Sequence, residues 1–87
     1  MDERTKHGLL FSQLIIMFHA VCMQQLGKAE HPVTKVVEKD LPGAESTIDL
    51  IAMLRAKTRG NLSAEEDALL EQVFKELTQA YQQETAP

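Results

Sequence analysis

The chain has no tryptophan, a single tyrosine and three phenylalanines, and its lysines and arginines form no stripe. An acidic chain of this kind lacks the electrostatic footprint that nucleic-acid binding needs, so that class is disfavoured. One cysteine, Cys22, is present, which excludes an internal disulfide framework and fits a reducing compartment. The cytoplasm is the expected location. Four glycines are too few and too scattered for a phosphate-cradling loop, and no Cys-x-x-Cys element occurs. Nothing in the chain has the form of a catalytic motif, so the expectation is a non-enzymatic protein without a cofactor.

What is there is ordinary in amount and uneven in distribution. Hydrophobic residues make up 44% and charged residues 25% of the 87 positions, which argues against wholesale disorder. A domain this small buries only about 60% of the surface that its unfolded chain exposes, so its own core will be thin. The net charge is −4, and acids and bases balance over residues 1–40. The acid is concentrated beyond residue 60, where six carboxylates face one lysine, Lys75.

The apolar run from Leu9 to Leu26 has the length of a membrane span. Ser12, Gln13, His19, Gln24 and Gln25 interrupt it, the segment before it mixes acids with bases, and no small-residue cleavage site follows. It reads as the buried helix of a soluble protein, with no membrane span expected.

The pattern predicts an all-α fold of three helices in one domain. Residues 1–7 carry no aliphatic side chain after Met1 and are expected to fray. A first helix covers about 8–26, stopped by Gly27 in a left-handed step. On a helical projection Leu10, Phe11, Leu14, Ile15, Met17, Phe18, Val21 and Cys22 share one broad face, while Leu9, Ile16 and Met23 lie opposite. Only a narrow stripe through Gln13, Ala20 and Gln24 remains. Residues 27–40 form a connector, broken at His31-Pro32, whose valines Val33, Val36 and Val37 could form a strand only by pairing between subunits. A second helix covers about 41–59, with Pro42 in its first turn, and Ala44, Ile48, Ile51 and Leu54 facing inward. Leu50 and Met53 widen that stripe. A third helix covers about 64–81 with Leu69, Leu70, Val73, Phe74, Leu77, Ala80 and Tyr81 at threes and fours, and 82–87 are expected to fray.

The most sharply patterned stretch is KTRGNLSAEED, Lys57–Asp67. Lys57 and Arg59 close one helix and Glu65, Glu66 and Asp67 open the next, so each sign sits where the helix dipole favours it. Gly60 permits a left-handed step, and Ser63 with Glu66 three residues on has the spacing of a capping box. The connection forces an antiparallel hairpin. An anion site at the start of the third helix is the functional alternative; the Ser63 cap and the three acids oppose it.

The run DLPGAESTIDLIAMLRAKTRGNLSAEEDALLEQVFKELTQAY, Asp40 to Tyr81, resembles the bacterial family known as domain of unknown function 1844. TIDLIAMLRAKTRGNLS and EEDALL carry the likeness best, and FSQLI and MQQLG extend it more loosely into the first helix. Gly43 after Pro42 and the connector depart from the pattern. The resemblance implies a small, mostly helical bacterial protein without an assigned activity, and it carries over no functional residues.

His19 and Cys22, spaced i and i+3, could supply half of a metal site, or a nucleophile and its base. No third ligand or oxyanion donor has a fixed spacing from them. The blander reading is a buried thiol beside a hydrogen-bonded imidazole. Arg55 projects between Ile48 and Ile51, so its stem is expected to cover the core edge while its guanidinium reaches an acid of the third helix or of a second subunit. The first helix has more apolar perimeter than two short neighbours cover, which predicts association with a second copy, in a dimer or larger assembly, through Leu14, Ile15, Met17, Phe18 and Val21. Another protein is the second candidate partner. A small-ligand or metal-binding protein with a site near His19 and Cys22 is the rival function.

Overall fold

A computed structural model describes residues 1–87 as three α-helices: α1, Glu3–Gln25; α2, Leu41–Lys57; and α3, Ala64–Thr85. The fold is all-α. Its only β feature is one antiparallel bridge between Leu26 and Lys39, the two ends of the connector. Val33, Val36 and Val37 between them are exposed and form no strand.

Each helix end has a local cause. α1 begins at Glu3 rather than near residue 8, because Asp2 caps it: the Asp2 carboxylate accepts from the Thr5 amide at 2.7 Å, and Lys6 N–H donates to the Asp2 carbonyl at 3.0 Å. Residues 3–7 are therefore helical and not a frayed segment. At the other end Gly27 takes φ +76°, the expected left-handed stop. Asp40 caps α2 through the Gly43 amide at 3.0 Å, with Pro42 in the first turn. α2 ends at Lys57, two residues before the expected limit, as the Thr58 hydroxyl donates to the Leu54 carbonyl at 2.6 Å and the chain turns through Gly60 at φ +79°. α3 runs on to Thr85 instead of stopping at 81. Its last turn is held from outside, since Glu84 pairs with Lys28 at 2.6 Å and Lys39 at 2.8 Å.

Side-chain partners set the directions. Thr47 of α2 donates to Gln25 of α1 at 2.7 Å, so those two helices are antiparallel. Arg55 meets Glu71 and Tyr81 meets Glu45, so α2 and α3 are antiparallel too. His19 meets Glu76 and Lys28 meets Glu84, which makes α1 and α3 parallel.

The core consists of Ile15, Cys22 and Leu26 from the α1 side, Ala44 and Ile51 from α2, and Leu70, Val73 and Leu77 from α3, with Phe11, Phe18, Ile48, Leu54 and Phe74 packed around them. Full burial of such side chains is worth about 1.5–3 kcal/mol each, and this small set carries most of the driving force. The α3 face matches its periodicity. The α1 face is rotated from the broad arc expected of it: Ile15 and Cys22 are fully buried, whereas Leu10, Met17 and Val21 point out.

Candidate association surface

The outward arc of α1 follows from that rotation. At about 100° per residue, Ile15, Cys22 and Leu26 define the inward direction, and residues 9, 10, 13, 16, 17, 20 and 21 fall on the far side. Leu9, Leu10, Ile16, Met17 and Val21 are accordingly 52%, 50%, 58%, 59% and 40% exposed. No Lys, Arg, Asp or Glu lies between His7 and Lys28, so this arc is uncharged and, apart from Gln13, apolar. On α2, Leu50 and Met53 are also nearly half exposed. Leu50, three residues past Thr47, sits about 60° from the direction in which Thr47 meets Gln25 of α1, whereas Met53 sits about 120° from it and faces away from the core.

Of the five residues expected to associate, Met17 and Val21 are exposed, Leu14 and Phe18 are half-buried, and Ile15 is wholly buried. Ile15 is committed to the intrachain core and leaves the surface set. Leu9, Leu10, Ile16, Leu50 and Met53 join it. For the three on α1 the signal was the apolar circumference of that helix, and the missing information was its phase; Leu50 and Met53, expected to widen the inward stripe of α2, instead lie at its exposed side.

The pair with metal-ligand spacing is drawn apart by its neighbours. His19 Nε2 lies 3.0 Å from Glu76 Oε1 on a partly exposed edge. The Cys22 thiol is fully buried and donates to the Ala44 carbonyl at 3.8 Å, and burial pushes its pKa up to about 11. A thiol so disfavoured as thiolate is a poor ligand and a poor nucleophile. No group of three or more His, Cys, Asp and Glu side chains converges with the geometry a metal ion needs.

The stretch from Lys57 to Asp67 is a built turn. Ser63 N–H donates to Glu66 Oε1 at 2.8 Å and Glu66 N–H donates back to Ser63 Oγ at 3.1 Å, completing the capping box. Arg55 reaches α3: its Nε and Nη2 donate to the two Glu71 oxygens at 2.7 and 2.8 Å, and its guanidinium lies 4.1 Å from the centre of the Phe74 ring. That fork-to-carboxylate hydrogen bonding raises the pKa of Arg55 and lowers that of Glu71. The cleft beside it, about 400 Å³, is lined by Arg55 and Arg59 but equally by Asp67 and Glu71, which oppose an anion.

What these parts define is a three-helix protein with one long helix whose far side is uncharged, largely apolar and uncovered. The family model described as Domain of unknown function (DUF1844) matches residues 9–83, and the chain belongs to that family. Neither a curated protein nor a solved structure matches it. α1 is long and apolar enough to cross a membrane, with mean hydropathy 1.3 over its most apolar window, a property shared by core helices of soluble proteins and by signal sequences.

Proposed function

We propose that this chain is a non-enzymatic assembly or adaptor module, working in the cytoplasm as a homo-oligomer that associates through the outward face of α1. The observation that supports this is the uncharged arc from Leu9 to Val21, with Leu10, Ile16 and Met17 at least half exposed and no part of the chain lying over them. Apolar surface of this extent on a small domain is stabilised when another protein surface covers it. A second copy supplies the same surface and closes by two-fold symmetry. The rival reading, a ligand or metal site at His19 and Cys22, has less support, since Glu76 engages the one and burial holds the other protonated.

Molar mass in reducing buffer across micromolar concentrations tests the reading. The wild-type chain is expected at twice its 9.8 kDa or more. Met17→Glu, which places a charge at an exposed position and leaves the core intact, is expected to weaken association at least tenfold with little change in helicity. A folded wild-type monomer at all concentrations overturns the proposal.

A further inference from the structure

The arc offers two seams at coiled-coil spacing. Leu9, Gln13, Ile16 and Ala20 form one, with a polar and a small member; Leu10, Leu14, Met17 and Val21 form the other, apolar throughout. The second seam also lies on the α2 side, the side of Gln25 and its partner Thr47, toward which Leu50 is turned. Together α1 and α2 present a face about 25–34 Å long and about 20 Å wide, roughly 500–700 Å². A specific interface needs about 500 Å² or more on each partner, which the two helices reach together and one helix at about half the width does not.

Resting on the assembly reading above, we infer that two copies pair α1 against α1 in antiparallel register, with Leu14 facing Met17 and Leu10 facing Val21 of the second copy, and with Leu50 closing the flank. The residues that extend the seam give the direction. Continuing the alternation of fours and threes, Glu3 and His7 precede Leu10, and Gln24 follows Val21. Glu3 and His7 face each other within the chain, 3.4 Å apart. Parallel pairing sets Glu3 against Glu3 and His7 against His7, and places the two helix N-termini side by side. Antiparallel pairing sets His7 against Gln24, separates the two Glu3 carboxylates by the length of the helix, and opposes the dipoles.

Disulfide trapping with two singly substituted chains, Leu10→Cys and Val21→Cys, reads the register. Both positions are exposed, so folding is expected to hold, and circular dichroism melts verify it. The native Cys22 is buried and stays silent, with wild-type protein as the control. Under oxidised glutathione, the mixture of the two variants is expected to give a covalent heterodimer several-fold above the dimer that either variant forms alone. Self-linking of each variant alone, with no gain on mixing, overturns the antiparallel register while leaving assembly through α1 standing. An oligomer by molar mass that cross-links in neither arrangement moves the contact off this seam and overturns the inference as well. A monomer by mass with no covalent product overturns both the inference and the reading under it.

Discussion

Glu84 is the residue whose contribution is most specific. Two lysines from the connector hold its carboxylate, and the hydrogen bonds they donate take its pKa from 4.5 down to about 2. A carboxyl group depressed in the folded state stabilises it fully above the unfolded value and ceases to do so as pH falls through the folded one. Glu84→Gln is therefore expected to lower the melting temperature near neutral pH, with the gap to wild type closing between about pH 4.5 and about pH 2. Melts recorded across that range check it, and a gap of constant size would show that the ion pairs contribute nothing. Contacts of this kind leave no mark in the sequence. Lys28 and Lys39 lie far from Glu84 along the chain, and no periodicity links them, which is why residues 82–85 read as a frayed tail when they are the anchored end of α3. Arg55 was legible as a residue that spans core edge and a distant acid, because its place between Ile48 and Ile51 is a matter of helical phase alone; that the acid is Glu71 was not.

For the helices themselves, existence and punctuation were legible and one phase was not. Gly27 and Gly60 act through their own left-handed backbone, and Asp40, Ser63 and Glu66 through partners three residues away, so their roles can be read locally. α3 shows one apolar face and one charged face, and its buried Leu70, Val73 and Leu77 follow directly. α1 is apolar over most of its circumference, so projection cannot say which arc turns inward; the partners decide, through Thr47 on Gln25 and Glu76 on His19. Its first turn was missed for the opposite reason, since Glu3 to His7 carries no apolar period and is held by the cap alone. Asp2→Ala is expected to speed amide exchange at Thr5 and Lys6 while leaving exchange near Ile15 unchanged. Equal protection in both variants would mean that the cap does not hold the turn.

Taken entire, the molecule separates its charge from its apolar surface. The excess acid lies on α3 and its flanks, and the exposed apolar arc lies across the bundle on α1. Association through a seam whose span from Leu10 to Val21 carries no formal charge is expected to depend weakly on salt. Raising ionic strength from about 50 to about 500 mM should shift the dissociation constant less than threefold. A steep loss of affinity in sedimentation runs over that range would place the contact on the charged helix instead. The parallel course of α1 and α3 has a mechanical consequence. Helical structure begins at Glu3 beside the start of α3 and finishes at Thr85 near the far end of α1, so the two ends leave from opposite poles of the bundle. Tension applied between them slides α1 along α3 in shear and loads His19–Glu76 and the two lysine contacts of Glu84 together, rather than peeling the helices apart one turn at a time.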